Sequence, residues 1–305
     1  MSVRANSEEE APQGLLSGLS PVPGWWPALA LLSLAYLLHA ATALGIGAFN
    51  IRTFGDTDMS NETVAGIIVN IVRTYDIIVV QEVRDADLSA VRKLMDQLNR
   101  VSLHPYGFEV SKPLGRGSYK EQYLFIYRTD AVSVVDSYYY DDGCEPCGND
   151  TFSREPFIVK FSSPSTEVRE FVLVPLHTPP SEAVPEIDAL YDVYLDVIDK
   201  WGTDSIFFLG DFNADCSYVG PQDRPSIRLC TSGAFRWLIP DSANTTVLYS
   251  DCAYDWIVVS GPELQRLTGT HSAKVNNFSV TFHLQLKDAL AVSDHFPVEV
   301  TLTAR

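Results

Sequence analysis

The sequence predicts an α/β fold of layered sheets and helices, and three observations predict it. Short apolar runs of strand length alternate along the chain with segments of helical periodicity. Carboxylates and imidazoles stand at the ends of those runs, where α/β folds place their sites. No repeat in fixed register, low-complexity tract or obvious linker divides the chain, so one domain is the economical reading.

In chain order, Ser60 or Asn61 is a candidate N-cap for a helix that carries Val64, Ile67, Ile68, Ile71 and Val72 on one face. Ile77-Ile78-Val79-Val80 reads as a strand that runs into Gln81 and Glu82. Leu88, Val91, Leu94, Met95 and Leu98 share a second helical face. Phe171-Val172-Leu173-Val174 is a strand with His177 beyond it. Ile187, Leu190, Tyr194, Leu195 and Ile198 mark a third helix, and Ile206-Phe207-Phe208-Leu209 a strand ending in Gly210-Asp211-Phe212-Asn213. Asp255 precedes the strand Ile257-Val258-Val259, and Ser293-Asp294-His295 precedes Phe296-Pro297-Val298-Glu299-Val300. A single Glu after a strand usually faces solvent, and a single His is more often structural than catalytic. Five such positions in one chain shift the weight toward a site.

Composition sets limits. The 305 residues are 46% hydrophobic and 20% charged, which is globular and not disordered. A net charge of −17 argues against a nucleic-acid binder, so a polyanion would have to be held by bound cations and a few placed Arg side chains. Trp25 to Leu38 is an apolar run of signal-peptide length, followed by the small-x-small pattern Ala41-Thr42-Ala43. The expectation is a signal peptide over residues 1–43, a catalytic domain over 44–305 that begins at Leu44, and a secreted product. The run is short for a membrane span. A signal anchor is the alternative, because Arg4 alone opposes Glu8, Glu9 and Glu10 ahead of it. Five cysteines in a secreted chain favour disulfides over metal thiolates. Cys144 and Cys147 form a C-x-x-C pair between Asp- and Gly-rich flanks, which suits a loop staple.

The chemistry of the strand-end residues is that of phosphodiester hydrolysis. Glu82, Asp211, Asn213 and Asp294 are hard oxygen donors suited to Mg²⁺ or Ca²⁺. His177 and His295 can act as base, acid or phosphate donor near neutral pH, and carboxylates such as Asp255 or Glu121 could orient each ring. A bound metal would neutralise phosphoryl charge while the imidazoles move protons.

Phe49-Asn50, Gln81-Glu82-Val83, Gly210-Asp211-Phe212-Asn213, Tyr254-Asp255 and Ser293-Asp294-His295 resemble the motif series of the endonuclease/exonuclease/phosphatase superfamily. Two longer stretches, Ser111 to Glu121 and Tyr138 to Phe152, are similar to its deoxyribonuclease I branch, and the likeness runs from Leu44 to about Leu302. The resemblance implies an α/β/β/α sandwich of four layers, two mixed sheets packed face to face. It implies a DNA endonuclease with weak sequence preference and a catalytic Mg²⁺ or Mn²⁺ at Glu82, with Asn50, Asp211, Asn213 and Asp294 around metal and phosphate. It pairs His177 with Glu121 and His295 with Asp255. It places Arg52, Arg84, Arg116, Tyr119, Arg154 and Tyr218 on DNA, where surface arginine would otherwise be the plain reading. It implies a structural Ca²⁺ loop of Asp142, Asp150, the Phe152 carbonyl and Glu155. It also implies disulfides Cys144–Cys147 and Cys216–Cys252, with Cys230 left unpaired, glycans at Asn61 and Asn149, and a monomer.

Departures from the family pattern are specific. Trp256 stands where Arg is usual. Asn244 replaces an Asp in a second Ca²⁺ loop and itself opens the sequon Asn244-Thr245-Thr246. The strand that meets monomeric actin is altered at Glu109 and Lys112, which predicts weak binding to actin. The competing readings are a secreted phospholipid or inositol-phosphate phosphodiesterase on the same scaffold, and a binding protein with a decayed site. The Cys144–Cys147 loop and the Arg116/Tyr119 segment speak against the first, and the filled metal and histidine positions against the second.

Overall fold

Apolar side chains on both faces of the central strands decide the layering. In a computed structural model, described for residues 43–303 apart from 145, 146, 148, 149, 249, 270 and 271, two six-stranded sheets lie against each other. The predicted leader and the Asn149 sequon fall outside these residues. The first sheet comprises β1 (Leu44–Asn50), β2 (Ile77–Val83), β3 (Tyr106–Val110), β4 (Gln122–Arg128), β11 (Ala273–Val275) and β12 (Val298–Leu302), in the order β11-β12-β1-β2-β4-β3. The second holds β5 (Ser133–Tyr139), β6 (Phe157–Ser162), β7 (Glu170–Pro175), β8 (Ile206–Asp211), β9 (Phe235–Trp237) and β10 (Asp255–Ser260), ordered β5-β6-β7-β8-β10-β9. Both sheets are mixed: β1 is parallel to β2 and β7 to β8, and the remaining pairs are antiparallel.

The helices are α1 (Asp56–Ser60), α2 (Glu62–Val72), α3 (Ser89–Val101), α4 (Ala183–Trp201), α5 (Arg228–Thr231), α6 (Pro262–Leu267), α7 (Phe278–Thr281) and α8 (Leu286–Val292). On β2, Ile77 and Val79 join the core shared with the second sheet, while Ile78 and Val80 join the core under α2 and α3. A strand buried on both faces reads as a continuous apolar run, as this one does. On the far side α4 covers the second sheet through Ile187, Leu190, Val193 and Val197. Four layers result, as expected.

Details differ from the sequence reading. Asn61 is the N-cap of α2, its Oδ1 accepting from the Thr63 and Val64 amides at 3.1 and 3.3 Å. Leu195, assigned to the buried face of the third helix, is 48% exposed, and Val193 and Val197 are buried instead. Period-3.6 counting alone could not choose between adjacent stripes on a helix rich in apolar residues. Asp255 starts β10 and does not stand before it. Trp256 is accommodated by burial: its indole N–H donates to the Ala253 carbonyl at 2.7 Å and the ring meets Trp237 edge-on. Cys144–Cys147 and Cys216–Cys252 are disulfides and Cys230 is a half-buried thiol.

Candidate active site

Strand direction gathers the site at one end of the sandwich. The parallel strands contribute residues from their carboxyl ends, Asn50 at the end of β1, Glu82 one residue before the end of β2 and Asp211 at the end of β8, with His177 two residues beyond β7. Antiparallel neighbours contribute their beginnings: Asp255 pairs with Asp211, Glu121 immediately precedes β4, and Asp294 and His295 lead into β12.

Two His–carboxylate pairs face each other there. His177 Nδ1 lies 2.8 Å from Glu121 Oε2, and His295 Nδ1 lies 2.8 Å from Asp255 Oδ2. Each carboxylate fixes its ring and leaves Nε2 turned inward. Both inward nitrogens approach the same atom, Asp211 Oδ2, at 3.8 Å from His177 and 3.6 Å from His295. Burial is the largest influence on His177 and opposes its protonation, but the bond and charge of Glu121 together with the charge of Asp211 outweigh it and the net shift is upward. Burial also opposes a charge on Glu121, yet His177 and Arg154 hold its carboxyl below the usual range. His295 is likewise buried, but Asp255 and Asp211 push it up to about 10. Burial raises Asp255, with His295 working against it.

Asn50 bridges the acidic residues: Nδ2 donates to Glu82 Oε1 at 3.0 Å and to Asp211 Oδ2 at 3.1 Å. Its Oδ1, and Asp294 Oδ1, are buried with no hydrogen bond among the described residues. Such oxygens carry a desolvation cost unless something satisfies them, and a hard divalent cation does so. Glu82 sits at φ 59° and Asn213 at φ 47°, left-handed conformations that non-glycine residues adopt at a cost and that concentrate at working sites. Asn213 is held by Nδ2 donating to the Thr178 carbonyl at 3.0 Å and by its amide donating to Asp211 Oδ1.

The residues expected on a polyanion divide. Arg52 is exposed beside Asp294 at 3.9 Å. Arg84 lies over the Tyr119 ring, 4.1 Å from its centroid, on the open rim. Tyr218 is exposed and stacks against Tyr254. Arg154 is drawn inward: its Nε is 2.7 Å from Glu121 Oε2 and Nη1 donates to the His177 carbonyl. Arg116 turns away to Asp150, donating to Oδ2 at 2.8 Å. In that outer loop Asp142 Oδ2 accepts from the Thr151 and Phe152 amides, while Asp150 Oδ1 is buried with no hydrogen bond among the described residues, which fits a cation. Glu155 lies 3.9 Å from Lys112. In the second loop Asn244 donates to Asp251 Oδ1 and caps Thr246, so the loop is tied by its own side chain.

The sequence assigns no role to three positioning groups, Gln81, Thr245 and Ser293. Gln81 crosses between sheets: Nε2 donates to the Leu176 carbonyl at 2.6 Å, and Oε1 accepts from the Asp211 amide at 2.9 Å. Gly210, at φ +132°, makes room for it, since a Cβ there would overlap Gln81 Nε2 and the Leu176 oxygen. Thr245 Oγ1 accepts from the Tyr254 and Asp255 amides, and Ser293 Oγ donates to the Asn50 carbonyl. Nothing in local pattern distinguishes a crossing Gln or Thr from a surface one. A cavity of about 590 Å³ around Arg224, Cys230 and Trp237 contains none of the site residues.

Residues 47–295 match the model of the endonuclease/exonuclease/phosphatase family. Deoxyribonuclease-1 of Gallus gallus is 65% identical over 277 residues, covering 91% of this chain and 98% of that protein. Deoxyribonuclease-1 of Homo sapiens is 60% identical, covering 90% and 97%, and deoxyribonuclease-1-like 2 of Mus musculus is 60% identical, covering 91% and 97%. Among solved structures, an endonuclease/exonuclease/phosphatase from Bacteroides vulgatus superposes with a TM-score of 0.59 at 18% identity, covering 87% of this chain and all of that one. That likeness speaks to the fold.

Proposed function

The chain belongs to the endonuclease/exonuclease/phosphatase family, and from that premise we propose that it works as a secreted, divalent-metal-dependent endonuclease of the deoxyribonuclease I type. It hydrolyses phosphodiester bonds in double-stranded DNA with weak sequence preference. The observation that carries this reading is the convergence of two His–carboxylate pairs on Asp211 Oδ2.

Glu82, Asn50, Asp211 and Asp294 are the residues that would hold Mg²⁺ or Mn²⁺, which when bound supplies charge neutralisation at the phosphoryl oxygens. Glu121 and Asp255 hold the Nδ1 protons of His177 and His295, so that each Nε2 is free to trade a proton at the scissile phosphate. One ring takes a proton from the attacking water and the other returns one to the departing sugar oxygen. Asn213, beside Asp211, is placed to donate to a phosphate oxygen. Arg154, bonded to both members of the first pair, stiffens that pair at the phosphate. Arg52, Arg84, Tyr119 and Tyr218 form the outer rim, where an arginine stacked on a tyrosine suits groove width more than base identity. Arg116 is held away from that rim by Asp150, so the Ca²⁺ loop of Asp142, Asp150, Phe152 and Glu155 would set how this guanidinium is presented to DNA as well as support the fold. The product is a glycosylated monomer that leaves through the secretory route after cleavage near Ala43.

The test is nicking of supercoiled plasmid by protein collected from the medium of expressing cells, with and without chelator, beside a sphingomyelin-hydrolysis assay. N-terminal sequencing of the product locates the first residue. Metal-dependent nicking with inert sphingomyelin and a start at or near Leu44 is expected. Sphingomyelin turnover without nicking would overturn the substrate, and a product retaining Trp25 and Trp26 in the membrane would overturn secretion.

A further inference from the structure

One groove outside the site, lined by both aliphatic and polar side chains, is unexplained by the chemistry above. It has a volume of about 250 Å³ and lies between Asn244, Leu248, Asn277, Val280, Leu286 and Phe296. Its rim carries three exposed large aliphatic side chains, Leu248 at 48%, Val280 at 68% and Leu286 at 39%. Aliphatic side chains gathered on a surface call for a cover. The same rim carries two triplets of the form Asn-x-Ser/Thr, Asn244-Thr245-Thr246 and Asn277-Phe278-Ser279. A triplet alone arises by chance, but the two sites differ in structure. Asn244 is half-buried, its Nδ2 already donates to Asp251, and both following threonines are buried. Asn277 is exposed at the start of α7. Its Oδ1 accepts from the Val280 amide at 3.0 Å, and its Nδ2 makes no hydrogen bond among the described residues. Ser279 Oγ is buried once the chain has folded and makes none either, so the hydroxyl serves no hydrogen bond of the fold and is open to recognition only before folding is complete.

We propose that Asn277 carries an N-linked glycan that lies over the Leu248–Val280–Leu286 groove. The proposal rests on the secretory reading above, because the donor is a lipid-diphosphate-linked oligosaccharide of that route. In the transfer the Asn277 carboxamide nitrogen bonds to the sugar C1, the bond from C1 to the diphosphate oxygen breaks, and one Nδ2 proton leaves with the lipid diphosphate. No atom changes oxidation state overall. The new bond uses Nδ2 and the helix cap uses Oδ1, so the fold accommodates the modification without losing the Val280 bond. The C–H faces of the sugars rest on the aliphatic rim and the hydroxyls face water.

The experiment expresses the full chain in secreting animal cells and releases N-glycans with peptide N-glycosidase in ¹⁸O water, followed by peptide mass spectrometry. Ser279→Ala is the variant of choice, since it destroys the triplet and leaves the Asn277 cap intact. The expected result is ¹⁸O-labelled aspartate at position 277 and the loss of one glycan's mass in Ser279→Ala. That variant should bind more of an apolar fluorescent dye and nick plasmid at the parental rate. Secreted protein labelled at Asn61 but unmodified at Asn277 would overturn the proposal while sparing the secretory reading. Protein retained in the cytosol with no glycan on any triplet would overturn both.

Discussion

Replacing Gln81 by Leu removes a link between the two sheets without changing side-chain volume much. The Gln81 amide is buried and makes two bonds to the other sheet, 2.6 Å to the Leu176 oxygen and 2.9 Å from the Asp211 nitrogen. Leucine would leave both backbone groups unsatisfied. Each such loss costs about 1–3 kcal/mol, so the expected destabilisation is roughly 2–6 kcal/mol. At about 2–4 °C per kcal/mol for a domain of this size, the melting temperature should fall by roughly 4–24 °C. Activity should suffer beyond stability, because the Asp211 amide is what holds that residue between the two imidazoles, and an ångström of displacement can cost about a hundredfold. Gly210→Ala attacks the same link from the other side, because its Cβ would displace the Gln81 amide. The two changes should therefore be strongly non-additive in a double-mutant cycle. Thermal melts at matched ionic conditions, with kcat and KM for plasmid nicking, check this. A Gln81→Leu protein with parental melting temperature and parental kcat would refute the argument, as would simple additivity with Gly210→Ala.

Other consequences are separately testable. His177→Ala and His295→Ala should each lower nicking by the ~10²–10⁴-fold typical of proton-transfer groups, and chelation should abolish activity of the parent; near-parental rates in either folded variant would contradict the assignment. Added Ca²⁺ should raise the melting temperature progressively, as for a ligand of the native state, and Asp150→Ala should erase that rise; two tight sites of equal strength by calorimetry would contradict a second loop tied by Asn244. Glu186 is buried on α4 against the Ser153 amide, and burial raises its carboxyl to about 7. A carboxyl with a raised folded-state pKa binds its proton more tightly in the native chain than in the unfolded one. Stability therefore falls as pH rises from the ordinary glutamate range to about 7 and then levels off. Glu186→Gln should remove that slope and gain up to roughly 3 kcal/mol above pH 7 relative to the parent, and denaturation at pH 5 and pH 8 would show no difference between the proteins if the reasoning fails. Actin should inhibit poorly. β3 is a free sheet edge suited to strand addition, but Lys112 stands beside it with its ammonium over Tyr139 and near Glu155. Nanomolar inhibition of the parent, or a Lys112→Glu variant no more sensitive, would refute this.

Much of this architecture can be read before folding, and the reason is physical. Ile77 to Val80 and Ile206 to Leu209 are apolar without a break because helices or a second sheet cover both of their faces. His177, Asp211, Asp255 and His295 are recognisable because their chemistry sits next to such runs. What stays hidden depends on contacts distant in sequence. Gln81 meets Leu176 and Asp211 across 95 and 130 residues. The identity of Arg154 suggests a surface phosphate contact, while its neighbours make it a clamp on Glu121. Leu195 shows the same limit on a helix, where α4 offers two adjacent apolar stripes and only the mated sheet selects one.

Each His–carboxylate pair is divided between the two sheets. His177 follows β7 of the second sheet while Glu121 adjoins β4 of the first; His295 leads into β12 of the first while Asp255 belongs to β10 of the second. Asn50 and Gln81 likewise span the divide to reach Asp211. Neither sheet owns a working half of the machinery. A nascent chain that has built both sheets but not yet mated them carries every reactive group and cuts nothing. Cutting DNA therefore requires the two sheets to be mated, and any loosening between the layers on warming should lower hydrolysis at least as far as it lowers the circular dichroism of the strands.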